Sequence, residues 1–281
     1  MFIVETGAIG ARPGPRETIT MKTIRHPAVA GMFYPADPQT LRADVESYLA
    51  EAAGASGPVP KALIAPHAGY IYSGPVAGHA YARLRAAASR ITRVVLMAPA
   101  HRWPFHGLAI PEADEFQTPL GRIPVDRAAL LSVTGLPQVQ CLDAAFDGEH
   151  ALEVHLPFLQ AVLPAFRIVP FVVGEASPRE VADVLERLWG GDETLIVVSS
   201  DLSHYLDYRS AKARDAQTTC RIEALDPSVG DHDACGRNPV NGLLTVARRH
   251  GLTVETLDLR NSGDTAGPRD RVVGYGAYVF H

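Results

Sequence analysis

The chain has 281 residues, 47% of them apolar, and a formal net charge of −5. Charges of both signs are mixed along it without a Lys/Arg block or a basic-aromatic stripe, which argues against nucleic acid as a partner. No apolar run approaches the roughly 18–20 residues of a membrane span, so no membrane is expected. Cys141, Cys220 and Cys235 form no CxxC pair and no disulfide framework, and the start lacks a secretory pattern; both point to a reducing cytoplasm.

Residues 1–20 contain Gly and Pro without periodicity and are expected to be an irregular arm ahead of a domain spanning 21–281. Residues 38–54 have the spacing of a helix (Leu41, Val45, Tyr48, Leu49), with Gly54 as its stop. KALIAP (61–66) reads as a first central strand, followed by a Gly-rich turn, HAGYIYSGPVAG, and a helix to about Arg90. RVVLMAP (93–99) is a second central strand. Short strands are expected at 107–110 and 122–125, with turn chemistry in EFQTPLG between them and a short helix after Asp126. Residues 150–163 read as a helix that Pro157 starts or kinks. RIVPFVVG (167–174) is a strand whose Pro170 suggests an edge or irregular place. Residues 177–189 carry a capping box from Ser177 and Glu180. TLIVVSSD (194–201) is a third central strand. Helices are expected over 207–225 and from Asn241 to His250, the latter ended by Gly251. Alternating strands at 252–260 and 272–280 close the chain as an edge meander. The alternation of strands and helices predicts one α/β domain with a mixed, mostly parallel sheet flanked by helices.

Three apolar runs end at a histidine: ALIAPH at His67, VVLMAPAH at His101 and LIVVSSDLSH at His204. Val/Ile/Leu runs of this kind suit strands buried on both faces, and ligands of such sheets bind beyond the strands' carboxyl ends. Imidazoles delivered to that edge suggest a metal site. His67 and His101 are separated by the length of one βαβ unit, which would make their strands neighbours. Asp201 stands at the third strand end, either as a metal ligand or histidine-orienting group, or as the N-cap of a following turn with Ser199, Ser200 and Ser203 as local partners. His204 is a candidate general acid or base. In GEHALEVHLP (148–157) His150 and Glu153 would share a helical face, and His150 is read as lining the pocket, His155 as structural. Cys235, in the polar loop DACGRNPV, is a candidate thiolate ligand; Cys141 and Cys220 have no such context. Gly69 and Gly74 would allow close backbone approach to a ligand, and Tyr70 or Tyr72 could donate a hydrogen bond there.

Taken in order, AGMFY, IAPHAGYIYSG, APAH, EHALEVHLPF, SSDLSH and CGRNP resemble the Memo family over about residues 26–280. The resemblance implies the fold of class III extradiol dioxygenases with the site at the sheet's carboxyl edge. It puts metal ligands on His67, His101 and Cys235, neighbouring residues on Asp201 and His204, and a pocket wall on Tyr72 and Phe33. Family members often carry Trp where this chain has Phe33, so no indole N–H is available here. Bacterial and archaeal members are similar to one component of the AmmeMemoRadiSam set, which implies a radical-SAM pathway partner, and animal members are linked to phosphotyrosine peptides.

Ring-cleaving dioxygenases use two histidines and a carboxylate on Fe(II), whereas a thiolate third ligand is softer and oxidisable. The sequence therefore supports an iron- or copper-dependent redox protein, Fe(II) first and Cu or Zn as alternatives, acting on a small-molecule or peptide ligand. Two other functions stay open: a peptide- or protein-binding module that keeps the pocket without turnover, and a zinc hydrolase with a His/His/Cys site.

Overall fold

The computed structural model describes residues 22–52 and 57–281. Taken along the chain, the elements are β1 (Ile24–Arg25), α1 (Pro38–Glu51), β2 (Ala62–Ala65), α2 (Tyr70–Ala82), β3 (Arg93–Pro99), β4 (Leu108–Ile110), β5 (Glu115–Thr118) and β6 (Gly121–Pro124). They continue with α3 (Arg127–Val133), β7 (Val139–Cys141), α4 (Leu156–Val162), β8 (Arg167–Val173), α5 (Pro178–Arg187), β9 (Thr194–Ser199) and β10 (His204–Leu206). The last are α6 (Tyr208–Glu223), α7 (Arg237–Arg249), β11 (Val254–Asn261) and β12 (Val272–Phe280). The expected arm over 1–20 and the helix stop at Gly54 lie outside the described residues.

The main sheet runs β10-β12-β2-β9-β3-β8-β4-β7, with β11 also paired to β12. Its centre, β2-β9-β3-β8, is all parallel, while β12 joins β2 and β4 joins β8 antiparallel. Every residue of β2 and β9 is buried, and β3 and β8 are buried after their first residue, as expected of strands covered on both faces. Helices flank the sheet: α5 packs on α7, which contacts β3 and β9, while α1, α2 and α4 pack together. A small separate sheet, β1-β5-β6, lies beside it. Among the described residues no helix is long and apolar enough to cross a membrane.

Several sequence expectations are corrected. β2 and β3 are not neighbours, because β9 is inserted between them. A crossover of the expected length only says that two strands are parallel; a strand supplied a hundred residues later can still occupy the gap. EFQT is strand β5 of a hairpin with β6, so the turn is confined to the residues between them. The helix after His67 starts at once at Tyr70 and ends at Ala82, followed by a 3₁₀ turn at Arg85–Ala87. Residues 150–152 are not helical; a 3₁₀ turn at Glu153–His155 leads into α4, whose first turn holds Pro157. Strand β8 is interior despite Pro170, because β4 pairs only with Val172 and Val173 and leaves residue 170 without a ladder partner on that flank. Helix α7 begins at Arg237, with Pro239 tolerated in its first turn. β12 is an interior strand held by both β11 and β2, so the C-terminal pair is not a simple edge meander.

His155 is fully buried, and its Nδ1 shares a 2.7 Å hydrogen bond with the Tyr81 hydroxyl, while Nε2 has no protein partner. Burial drops its pKa from 6.5 to about 3. An unfolded chain therefore takes up a proton near pH 6.5 that the native state refuses until about pH 3, and this residue removes stability as pH falls through that window. In His155→Gln, which does not titrate, urea unfolding between pH 6 and 4 should show a pH slope shallower than wild type by about 1.4 kcal/mol per unit. Equal slopes in the two proteins would show that His155 does not enter the balance.

Candidate metal centre

The parallel strands β2, β9 and β3 point their carboxyl ends to one edge, and the second residue past each is polar: His67, Asp201 and His101. The irregular segment before α4 adds His150. Donor atoms of His67, His101 and His150 all lie within 4.8 Å of one another. Their rings form a compact group, with centroids 5.1 Å apart for His67–His101, 4.9 Å for His101–His150 and 5.5 Å for His67–His150.

Hydrogen bonds decide which ring nitrogen faces the cavity. The Ser199 hydroxyl donates to Ala151 O at 2.7 Å, so it accepts from His67 Nδ1 at 2.6 Å. That leaves His67 Nε2 with its lone pair available. Glu149 is fully buried and accepts from His101 N (2.8 Å), Ala151 N (2.9 Å) and His101 Nδ1 (3.0 Å), and its Oε1 lies 3.4 Å from His150 Nδ1. A carboxylate behind an imidazole fixes the ring and strengthens its other nitrogen as a donor. Burial alone would raise the Glu149 carboxyl, but the His101 imidazole and the backbone donors outweigh it and the net shift is downward. Burial also holds His67 well below the ordinary imidazole range, with His101 and His150 adding to this, and lowers His150. Neutral rings of this kind suit a metal ion.

Cys235 lies outside the mutual group but touches it, with Sγ 3.3 Å from His67 Nε2. Two donors on one ion, with bonds of about 2.0–2.3 Å, sit roughly 3–4 Å apart, so this spacing is compatible with a shared ligand. The loop is pressed onto β9 by Gly236, where an added Cβ would come within 2.5 Å of Ser199 O. Asp201 N donates to Sγ at 3.3 Å. Burial pushes the thiol upward.

Asp201 caps no turn. Its Oδ1 accepts from His67 N at 2.7 Å and its Oδ2 lies 3.9 Å from His67 Nε2, tying the end of β9 to the end of β2. Burial raises its carboxyl to about 7. His204 is held by its Nδ1 at 2.8 Å from Leu202 O rather than by Asp201, which leaves Nε2 toward the cavity; burial lowers its pKa. Phe33 packs against His150, the ring centroids 4.7 Å apart and the planes tilted by 52°. Glu153 does not meet His150: it is buried against Arg25, the N–H groups of Ala28 and Val29, and the Tyr34 hydroxyl, and so pins the loop that carries Phe33. Tyr70 is buried with its hydroxyl on Val154 O, whereas Tyr72 faces a side lobe. Gly74 gives room to Tyr48 of α1, not to a ligand.

These residues line a cavity of about 650 Å³ that reaches His67, His101, His150, Asp201, His204 and Cys235. The structure thus gathers Phe33, His67, His101, His150, Asp201, His204 and Cys235 into one space and places Gly69 and Tyr72 on the adjoining lobe of about 370 Å³, while Tyr70 and Gly74 line neither. Sequence pattern alone singles out neither Glu149 nor the His67-orienting role of Ser199. The one signal for Glu149 was its place beside His150 in GEH, and a single Glu-His pair is too common to carry a role.

An α/β sheet with a cluster of imidazole donors at its carboxyl edge defines the class: a protein with a possible three-histidine metal site. The chain belongs to the Memo family, since the profile of the Memo-like protein family matches residues 25–279. It is 35% identical over 277 residues to a MEMO1 family protein of Sulfolobus acidocaldarius, covering 90% of this chain and 97% of that one. It is 34% identical over 274 residues to one of Methanothermobacter thermautotrophicus (90% and 98%) and 37% identical over 281 residues to one of Aeropyrum pernix (90% and 98%).

Proposed function

We propose that this chain is a metal-dependent redox protein with a site related to that of class III extradiol dioxygenases, iron(II) being the expected ion and copper the alternative. The observation that carries the reading is the convergence of His67, His101 and His150, one ring nitrogen of each lying within 4.8 Å of the others, with His67 and His101 tied back through Nδ1 by Ser199 and Glu149. His67 and His101 are the ligands in this reading, joined by His150 or by the Cys235 thiol, the latter 3.3 Å from His67 Nε2. An ion bound there supplies Lewis acidity and, for iron or copper, a redox couple. The chain's own residues do the rest. His204 Nε2, free because Nδ1 is bound to Leu202 O, takes or returns a proton on a small-molecule ligand in the cavity. Asp201 holds the backbone of His67 in place, and Phe33 closes one wall.

One feature favours a second reading. Three imidazoles are also a workable donor set for catalytic zinc, which would make the protein a hydrolase. Metal content separates the two. Protein purified without oxygen from unsupplemented cells should carry iron or copper near one ion per chain and consume oxygen with a catechol-like or thiol substrate. Zinc at full occupancy, with no oxygen uptake from any iron- or copper-loaded preparation, would replace the redox reading by the hydrolytic one.

A further inference from the structure

The cavity opens sideways into the lobe lined by Tyr72, Tyr275, Val273, Gly267 and Pro268, the two spaces sharing Phe33, His150, Asp201, His204 and Tyr205. Tyr205 stands at the division. It has a φ of 59°, in the left-handed region that a bulky side chain rarely enters. The pairing of β10 with β12 slips between His204 and Leu206, so Tyr205 sits on a bulge. The strained residue is also 65% exposed. Its ring packs on no core; it lies beside the His204 ring at 5.8 Å and under the Arg271 guanidinium at 5.1 Å. Backbone strain that exposes an aromatic ring gains nothing for packing, and such strain collects at ligand sites.

The charges around both spaces single out Arg271. Arg214 is paired with Asp233 at 3.3 Å, and Asp231 with Arg237. Arg271 has no carboxylate partner among the described residues, and it is exposed at the mouth of the lobe. The lobe therefore offers aromatic walls and one free planar cation held on a tyrosine face. Rings prefer such walls, and a guanidinium matches a carboxylate with two parallel hydrogen bonds.

We propose that the side lobe is the recognition end of the site and takes a small aromatic carboxylate, its ring among Phe33, Tyr72 and Tyr275 and its carboxylate on Arg271. The Tyr205 bulge fixes the guanidinium beside the lobe, and the far end of the ligand points past His204 toward His67, His101 and His150. The direction of that far end rests on the metal reading; the carboxylate preference does not.

The test is binding of benzoate, phenylacetate and cinnamate against their neutral amides, followed by ligand-observed NMR on protein with and without added iron(II). Each pair differs in charge and hardly in shape. At least one acid should bind tenfold or more tighter than its amide in the iron-free protein. Arg271→Gln should erase that preference, Arg271→Lys should keep part of it, and Tyr205→Ala should weaken it. Iron stoichiometry, measured alongside, should be the same in Arg271→Gln as in wild type. Equal binding of all acids and amides, or no binding of any, overturns the proposal. So does a preference seen only with iron present and untouched by Arg271→Gln, because the carboxylate would then sit on the ion. A protein that takes up no iron, copper or zinc but still prefers the acid through Arg271 would sink the metal reading alone.

Discussion

The His67→Ala protein should bind neither iron(II) nor copper(I), with affinity reduced by more than the ~10–100-fold that loss of a supporting neighbour costs. His67 is the residue on which the site converges. It is 2% exposed, its Nδ1 is locked on Ser199 Oγ, and its Nε2 lies 3.3 Å from Cys235 Sγ. The fold should survive, because Ser199 keeps its bond to Ala151 O and Asp201 still accepts from the backbone N–H of residue 67. The cost in stability without metal is that of one buried hydrogen bond and a small void, about 1–3 kcal/mol. Elemental analysis after metal loading, with thermal melts in chelator, checks both halves. Wild-type loading of the variant would remove His67 from the ligand set.

Glu149→Ala should be the more damaging substitution for the fold. The carboxylate is wholly buried and satisfies two backbone N–H groups as well as His101 Nδ1, at 2.8, 2.9 and 3.0 Å. Its removal leaves these donors facing an empty space, at a cost of about 3–5 kcal/mol. It also frees the His101 ring to rotate, which should weaken metal binding ~10–100-fold. Glu149→Gln separates the effects: its amide oxygen can still serve a backbone N–H, while its NH₂ opposes a donor. The glutamine protein should therefore recover part of the stability and little of the affinity. Urea unfolding in chelator and metal titration measure the two quantities, and an unchanged affinity in both variants would deny Glu149 its orienting role.

The sequence was most readable where a single segment decides the outcome. β2, β3 and β9 stood out as unbroken apolar runs, Ser177 and Glu180 as a capping box, and Asp126 as a helix start, and all are present. His67 and His101 were legible because strand ends in such a sheet have one destination. What failed was non-local. Nothing between His67 and His101 announces that residues 194–199 will insert between their strands. Pro170 signalled an edge, yet the short reach of β4 left an interior place where a missing N–H does no harm. The sequence places His150 only on a pocket wall, because the helical period it suggests runs over residues that fold irregularly. Glu149, pointing inward from that irregular stretch, had no period to betray it. Tyr205 and Arg271 meet across β10 and β12, a pairing with a register slip that sequence pattern does not encode.

The insertion of β9 also sets a timetable. Parallel neighbours cannot be joined by tight hairpins, and segments this far apart in the chain find each other late. Until residues 194–199 slot between β2 and β3, the histidines at 67 and 101 have no common orientation, since Ser199 arrives with that strand. On the proposed metal reading, a nascent or partly folded chain therefore presents no grip for an ion, and binding would have to wait for the finished molecule. Occupancy then becomes a seal on correct assembly: an ion that binds only the native form adds to its stability in proportion to RT ln(1 + [L]/Kd).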